Sequence, residues 1–435
     1  MRIVKAALAV LGLMVCVSEG YAALPARYDL REHGRITRVK NQGVPGPCWA
    51  FAAIGAMESN YLTKKLNADG KIPDLSELQI AFYTYKDPEE QRRFTSQYNS
   101  GTLRLEGSCF KAAAMMLRLS GPTDEKYLRY DTNMPDSEKK ALAKKAPESF
   151  RRSMRLRDVY FLAGNKTLDD TGKKELIMKH GAIAVSIHSD PFKYNTINGH
   201  YTYYNTDKGK HTDHEVLLAG WDDNFPRTNF EPEPSRNGAW LVKNSWGTMR
   251  GSEGGYFWMS YDQHTWGGTA FIVERSNSRL KHYGYDDLGY CGTAKFSWGA
   301  NLFKTKTSRE KLREAAFYAP SNNLHYELYV YDLGYKFPAS PVAGKLAAAA
   351  KGSLKYPGYY TITLPESVSL KGSQYFSVVL KLSGGYMPVE KVLAKYSENA
   401  QVNEHESYFS RDGESWTDGI TINSNACIKA YTLMR

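Results

Sequence analysis

A loop rich in glycine and proline leads straight into an apolar segment at residues 42–51, which read Gln42-Gly43-Val44-Pro45-Gly46-Pro47-Cys48-Trp49-Ala50-Phe51. Proline is favoured at the first position of a helix, where its missing N–H is not needed, so Pro47 predicts a helix start beside Cys48. Apolar residues continue with helical spacing as far as residue 66. A helix N-terminus and a nearby imidazolium lower the pKa of a thiol, which makes Cys48 a candidate nucleophile.

His214 is the candidate base for such a thiol among the 10 histidines of the chain. It stands at the head of an apolar run, Glu215 to Ala219, which predicts a strand that holds the imidazole rigidly. Asn244 follows a second apolar run, Trp240 to Lys243, and its amide oxygen can accept a hydrogen bond from the imidazole. Trp246 is expected to shield that hydrogen bond from water.

Gln42 is the candidate hydrogen-bond donor to a reaction oxyanion. Its side-chain amide can lie beside the backbone N–H of Cys48, and two converging donors stabilise the oxyanion that forms when a thiolate attacks a carbonyl group. Taken alone, Cys48 is more simply interpreted as a buried structural thiol. The presence of Gln42, His214 and Asn244 in suitable contexts favours catalysis instead.

These residues lie in three motifs that follow one another as in the papain family of cysteine proteases, which the chain resembles over about residues 24–263. The motifs are Leu24-Pro25-Ala26-Arg27-Tyr28-Asp29-Leu30-Arg31, then Val39-Lys40-Asn41-Gln42-Gly43 with Cys48-Trp49-Ala50-Phe51, then Lys243-Asn244-Ser245-Trp246-Gly247 with Gly255-Tyr256-Phe257. The resemblance implies a cysteine-type peptidase, expected to be an endopeptidase, that acts on protein or peptide substrates. It implies that Cys48 is the nucleophile, His214 the base, Asn244 its orienter and Gln42 the oxyanion donor.

The resemblance also implies residues that bind substrate. Gly107, in Leu105-Glu106-Gly107-Ser108, is similar to the backbone platform that pairs with a bound peptide. Glu215 stands where the family commonly has Ala, at the border of the second substrate pocket, so basic side chains would be favoured there. Trp246 completes this set. The chain departs from the family at Pro45, where a disulfide-forming Cys is usual, and at Pro47, where Ser is usual.

The chain changes from a helical texture to a β-rich one. Helices are predicted over residues 48–66, from Ser76 with Gln79 completing a capping box, and over residues 110–119. From about residue 182, short apolar runs bounded by Gly and Asp predict strands, beginning with Ile183 to Ile187. This pattern predicts an α+β fold with a helical lobe and a β-rich lobe over residues 23–275.

The C-terminal part is predicted to be a second, all-β domain. Residues 276–282 read as a linker, and residues 283–435 alternate strands and turns as in a sandwich or jelly roll. Stretches such as Trp298-Gly299-Ala300-Asn301-Leu302-Phe303 and Tyr326-Glu327-Leu328-Tyr329-Val330-Tyr331 resemble the lectin-like β-sandwich domain that follows some bacterial papain-like proteases. Such a domain either binds a cell-surface glycan or braces the protease.

Residues 1–22 have the features of a secretory signal peptide. Arg2 and Lys5 form a basic start, Ala6 to Val17 is apolar, and Gly20-Tyr21-Ala22 offers small residues for cleavage. The mature chain is therefore expected outside the cytoplasm, secreted or in the cell envelope, with no integral membrane span. Because Leu24-Pro25 already resembles the start of a mature enzyme, no inhibitory N-terminal pro-segment is expected.

Charge and cysteine content limit which classes of partner and which disulfides are expected. The net charge is +11, but the basic pairs are scattered and lack the aromatic interleaving that would indicate nucleic acid. Cys16 leaves with the signal peptide, and the remaining cysteines are too few for a disulfide scaffold. Cys291 and Cys427 are equally consistent with a disulfide and with two buried thiols, whereas Cys109 is expected to be buried.

Other interpretations are less favoured by the residues. In a non-catalytic surface adhesin or glycan-binding protein, the β domain would act and the protease fold would be a relic, which the intact set of candidate catalytic residues argues against. A cell-wall amidase with the same chemistry is disfavoured by the run Asn244-Ser245-Trp246-Gly247. His211, Asp213 and His214 suggest a metal cluster, but no further ligand motif accompanies them, so no metal or cofactor is predicted.

Overall fold

The computed structural model describes residues 23–434 apart from 44–45, 85–106, 132–133, 136, 139–140, 142–144, 146–148, 163–168, 208–210 and 395. The predicted signal peptide and Pro45 lie outside these residues. The α-helices with both ends described are α1 (Cys48–Thr63), α2 (Glu77–Tyr83), α3 (Cys109–Leu117) and α4 (Asp170–His180).

Most of the remaining structure is β-sheet. The strands of the first part are β1 (Arg27–Asp29), β2 (Met154–Phe161), β3 (Ile183–Ile187), β4 (Tyr194–Ile197), β5 (His200–Tyr203), β6 (His214–Asp222), β7 (Ala239–Lys243), β8 (Tyr256–Ser260) and β9 (Trp266–Arg275). Those of the second part are β10 (Leu280–Tyr283), β11 (Gly292–Ala294), β12 (Trp298–Lys304), β13 (Arg309–Ala319), β14 (Leu324–Gly334), β15 (Lys345–Leu354), β16 (Gly358–Lys371), β17 (Tyr375–Leu382), β18 (Met387–Glu390), β19 (Ser407–Ser410), β20 (Thr417–Asp418), β21 (Asn425–Ala426) and β22 (Ile428–Met434).

Helix α1 is the centre of the first domain. It is buried on nearly all sides and packs against α2, α3, β6 and β9, which explains why its sequence is apolar around the whole helix. Its polar Glu58, Ser59 and Asn60 are buried as well, and each has a hydrogen-bond partner. Burial on every face fixes the position of the first residue, Cys48, relative to the surrounding strands.

Helix α2 begins with half of the predicted capping box. The side chain of Ser76 accepts a hydrogen bond from the Gln79 N–H at 3.0 Å, which satisfies one of the free amides of the first turn. The N–H of Ser76 itself donates to the carbonyl of Thr123 at 3.0 Å. The Gln79 side chain instead donates to Ser120 and accepts from the Thr123 N–H, so it ties α2 to the segment after α3.

The two domains share one sheet. Strand β2 pairs with β9 of the first domain and, through Tyr160 opposite Gly358 and Val159 opposite Tyr359, with β16 of the second. The resulting 13-stranded sheet runs in the order β10-β22-β13-β16-β2-β9-β3-β6-β7-β8-β5-β4, with β1 added to β6. A second core lies between β13, β16 and β22 and the 6-stranded sheet β15-β14-β17-β12-β19-β20.

This architecture confirms the predicted fold class, an α+β two-lobed domain followed by an all-β sandwich. The predicted domain boundaries remain predictions, and β10 begins at Leu280, inside the predicted linker. The four cysteines of the described chain are all free thiols, so Cys291 and Cys427 form no disulfide. Within the described residues, no helix has both the length and the apolar character needed to cross a membrane.

Candidate active site

Cys48 is the first residue of α1 and directly follows Pro47. Burial raises the pKa of its thiol to about 11, and the backbone N–H groups of Glu215 and Trp49 partly oppose this rise. Because Glu215 follows His214 in the chain, the sulfur lies against the start of β6. The lowered thiol pKa expected from the helix N-terminus is therefore not found, and the thiol needs a base close by to become a nucleophile.

His214 opens β6 and is held from two sides. Its Nε2 lies 2.8 Å from Oδ1 of Asn244, and its ring stacks on Trp246 with ring centroids 4.8 Å apart. The same Oδ1 accepts the N–H of Ser245 at 2.8 Å, so it is an acceptor and Nε2 must carry the proton. This tautomer leaves Nδ1 with a free lone pair. Burial lowers the pKa of His214, so the ring is neutral at neutral pH.

Gln42 and the backbone of Cys48 donate to the same oxygen. The Gln42 Nε2 lies 3.3 Å from the carbonyl oxygen of Gly46, and the Cys48 N–H donates to that oxygen at 2.9 Å. The other end of the Gln42 amide accepts the Ser245 hydroxyl at 2.5 Å. The two donors therefore converge on one point next to Cys48, and in this structure the Gly46 carbonyl oxygen occupies that point.

Gly107 lies two residues before the start of α3, beside Trp49. A Cβ atom at this position would come within 2.4 Å of the Trp49 indole, so only glycine fits here. Its backbone is exposed. Trp49 follows Cys48 directly, which brings the exposed backbone of Gly107 to the neighbourhood of the thiol.

Glu215 lines a pocket together with residues of α3, β2, β3 and β9. The pocket is small, with a volume of about 60 Å³, and its lining includes Glu215, Cys109, Phe110, Phe161, Trp266 and Thr269. Cys109 Sγ donates to the Glu215 carboxyl at 2.9 Å, and burial raises the pKa of that carboxyl. Cys109 is buried as expected, and the structure adds that it lines this pocket.

A buried charged network that the sequence analysis missed lies under the site. Lys40 Nζ is 2.9 Å from Glu77 and 4.0 Å from Glu58, and Glu58 accepts the Thr37 hydroxyl at 2.6 Å. Lys243, which precedes Asn244, donates to the same hydroxyl at 3.1 Å. Burial raises the pKa of Glu77 to about 8 and lowers that of Lys243 to about 8. The one available signal was Glu58, a charge inside an otherwise apolar helix.

Comparison with known proteins identifies the class to which this fold and site belong. The model of the papain family of cysteine proteases matches residues 24–274, more than half of the chain, so the chain belongs to that family. A lectin-like domain model matches residues 282–432. Both resemblances predicted from the sequence are therefore confirmed.

Among curated relatives, a cysteine protease of Blomia tropicalis is 28% identical over 259 residues, which cover 58% of this chain and 66% of that protein. Cysteine proteinase 1 of Zea mays is 30% identical over 236 residues, which cover 54% of this chain and 56% of that protein. The chain thus spans about 56–66% of the length of these relatives.

Two solved structures resemble both domains together. The clostridial cysteine protease Cwp84 after propeptide cleavage has a TM-score of 0.78 and 25% identity, covering 94% of this chain and 99% of that one. The cysteine protease and lectin-like domains of Cwp84, a surface layer associated protein of Clostridium difficile, give a TM-score of 0.77 at 24% identity and cover 94% and 89% of the two chains. The second match carries the fold alone.

Proposed function

We propose that the chain is an extracytoplasmic thiol protease in which Cys48 attacks the peptide carbonyl and His214 is its base. The observation that carries this proposal is the hydrogen bond of 2.8 Å between His214 Nε2 and Asn244, because it leaves Nδ1 as the proton acceptor. Asn244 orients the imidazole, and Trp246 covers it. Family membership supports the reaction class, and the surface-layer association of Cwp84 supports a location outside the cytoplasm.

The reaction follows from these positions. His214 Nδ1 takes the proton of Cys48, and the sulfur attacks the carbonyl carbon. The resulting oxyanion takes the place of the Gly46 carbonyl oxygen and accepts from Cys48 N–H and Gln42 Nε2. The imidazolium then protonates the leaving amine, which leaves a thioester on Cys48. Water attacks the thioester with His214 again as base, and a carboxylic acid and the free thiol are released.

The substrate would lie between Gly107 and the pocket of Glu215. The exposed backbone of Gly107 offers hydrogen bonds to an extended peptide. A Lys or Arg side chain in the pocket would keep the Glu215 carboxyl ionised, so basic residues are expected to be favoured there. Hydrolysis rates across a peptide panel that varies this one residue test the preference, and equal rates for Lys, Arg and Leu would contradict it.

Labelling with a thiol-directed active-site probe tests the main proposal. The wild-type protein should react and hydrolyse peptides, and Cys48→Ala should do neither. Cys291→Ala is the matched control, since it removes another free, partly buried thiol on the second domain. A Cys48→Ala protein that still hydrolyses peptides would overturn the proposal.

Glycan binding by the second domain is a second candidate function. On the six-stranded sheet, the rings of Trp298 and Tyr329 lie 6.1 Å apart and nearly parallel, and Lys381 lies between their strands and over Trp298. Lys381 also pairs with Glu327 at 2.9 Å. Aromatic faces beside charged groups suit a sugar ring with hydroxyl groups. Loss of binding to cell-envelope polysaccharide in Trp298→Ala, with wild-type folding, is the expected result.

A further inference from the structure

A large groove, here called the junction groove, lies where the two domains meet. It has a volume of about 1180 Å³ and is lined by side chains from the segments 69–75, 118–119, 124–127, 150–154 and 275–282. Small-molecule pockets have volumes of roughly 300–1,000 Å³, so this groove is large enough for an extended ligand. Of the residues proposed above for catalysis or substrate binding, none lines it.

The junction groove has an excess of positive charge. Seven lysine and arginine side chains line it, against three aspartates. All three aspartates already have a cationic partner; the pairs are Asp69 with Lys71 at 3.4 Å, Asp74 with Lys40 at 2.8 Å and Asp124 with Lys126 at 3.6 Å. The carboxylates present are therefore not available to neutralise the other cations.

Arg151, Arg152 and Lys281 have no carboxylate partner among the described residues. Arg152 donates to the backbone carbonyls of Leu119 and Asn277 at 3.1 and 2.8 Å, and its Nε is buried without a hydrogen-bond partner. Arg151 and Lys281 are exposed. Uncompensated cations gathered in a concave site attract anions and concentrate them locally.

Two exposed hydrophobic side chains also line the junction groove. Ile72 is 69% exposed and Tyr127 is 49% exposed, although both side chains are large and hydrophobic. A simple polyanion would satisfy the cations but would leave these side chains in water. A peptide that carries both carboxylates and apolar side chains would neutralise the cations and cover the two hydrophobic side chains.

From these observations we infer that the junction groove binds an extended acidic peptide segment that also carries apolar side chains. The segment belongs to another protein, and it is held by its carboxylates on Arg151, Arg152 and Lys281 and by its apolar groups on Ile72 and Tyr127. This site does not depend on the thiol chemistry proposed above.

Binding is measured with the full chain carrying Cys48→Ala, so that no peptide is cleaved and the result is independent of catalysis. The probe is a short fluorescein-labelled peptide of alternating Glu and Leu, followed by fluorescence anisotropy. It should bind, and its affinity should fall as salt is raised, because exposed charges are screened. The same peptide with Lys in place of Glu should not bind. Absence of binding by the acidic peptide at low salt would overturn the inference.

Charge reversal locates the site. Arg151→Glu with Lys281→Glu should weaken binding by about tenfold, since each exposed charge contributes modestly. Lys345→Glu with Lys351→Glu changes the net charge equally on exposed positions of β15 and should leave the affinity unchanged. Thermal unfolding checks that both proteins fold. Equal effects of the two pairs would show a general charge effect, and equal binding of a Glu–Ser peptide or of polyphosphate would show a polyanion site; either result would overturn the inference.

Discussion

The side-chain amide of Gln42 is held in one orientation. Ser245 donates to Oε1 at 2.5 Å, which fixes the orientation of the amide and leaves Nε2 to face the Gly46 oxygen. If that oxygen is replaced by the oxyanion during acylation, Gln42→Ala should lower kcat by about 10²–10³ with little change in KM, as for removal of one oxyanion-hole donor. Steady-state hydrolysis of a short peptide measures both constants.

Ser245→Ala is the matched test of the same arrangement. It removes the hydroxyl that orients Gln42 but keeps both proposed donors, so kcat should fall less than in Gln42→Ala. Probe labelling of Cys48 should persist in both variants, because neither removes the thiol or its base. A larger loss in Ser245→Ala than in Gln42→Ala would contradict the assigned roles.

If His214 is the base, as proposed, its protonation sets the acid limit of activity. Burial lowers its pKa below the ordinary 6.5, while the hydrogen bond to Asn244 partly opposes this. Only the neutral ring can take the thiol proton, so activity is present above the folded-state pKa and is lost as pH falls through it. The kcat/KM profile, which reports the free enzyme, should therefore stay level through pH 6.5 and fall only below it.

Asn244→Ala separates this explanation from general acid sensitivity. Loss of its hydrogen bond removes an interaction that raises the pKa of His214, so the acid limit should move to still lower pH. The kcat should fall as well, because the imidazole is no longer oriented. An acid limit at or above pH 6.5 in the wild type would contradict the assignment of His214 as a buried neutral base.

At the scale of elements, helix α3 connects the second domain to the pocket of Glu215. Its first residues, Cys109 and Phe110, line the pocket of Glu215. Its last carbonyl, that of Leu117, accepts the hydroxyl of Tyr431 from β22 at 2.6 Å. A helix C-terminus leaves carbonyls without partners, so the second domain supplies the cap that this buried helix end needs.

Tyr431→Phe should therefore affect both stability and substrate binding. It leaves the Leu117 carbonyl buried without its donor, at a cost of about 1–3 kcal/mol in the free energy of unfolding. It also frees the end of α3, so KM should rise for peptides whose side chain fills the pocket, and kcat should change less. Urea unfolding and hydrolysis of the pocket-varied peptide panel measure the two effects.

Tyr359→Phe is the control for this prediction. Its hydroxyl lies 2.9 Å from that of Tyr431, and since Tyr431 donates to Leu117, Tyr359 is the donor of the pair. Its removal deletes one buried hydroxyl but leaves the cap on α3 intact. Tyr359→Phe should leave KM unchanged, and an equal rise of KM in both variants would show a merely structural effect.

The elements that the sequence predicted are those with local signals. Pro47 and Ser76 mark the starts of α1 and α2, and the apolar run of residues 183–187 matches β3. Strand β2 was not predicted, because Arg155 and Arg157 make its sequence resemble a surface segment. Both pair with carboxylates more than 100 residues away, which no local pattern reveals.

The candidate site likewise combines residues that local motifs predict with contacts that only the structure reveals. Motif order predicted roles for His214, Asn244 and Gln42; these roles stay predictions, and the structure places the three residues together around the start of α1. The convergence of Gln42 and Cys48 N–H on Gly46 was not predictable, because it depends on the path of a loop. The contact of Cys109 with Glu215 joins residues 106 positions apart and likewise needed the structure.

For the whole molecule, β2 makes the two domains one unit. Arg155 lies on this strand, with its side chain only 2% exposed, and its guanidinium binds Glu274 of β9 at 2.7 Å and Glu314 of β13 at 2.6 Å. The two carboxylates come from different domains. A buried charge must keep its partners, so this network ties the folding of the β domain to that of the protease.

Glu314→Gln tests this coupling. It leaves Arg155 buried with one carboxylate fewer and should lower the free energy of unfolding by about 3 kcal/mol. Unfolding should remain a single transition, because β2 pairs with strands of both domains and the first core includes Ala316 and Tyr431 of the second domain. Urea titration followed by fluorescence, with peptidase activity as a second readout for the first domain, measures the number of transitions and the loss of stability.

Glu327→Gln is the matched control. It removes a carboxylate from an ion pair whose side chains are 40% and 41% exposed, and should cost at most about 1 kcal/mol. Equal losses, or separate transitions for activity and fluorescence, would show that the domains fold independently.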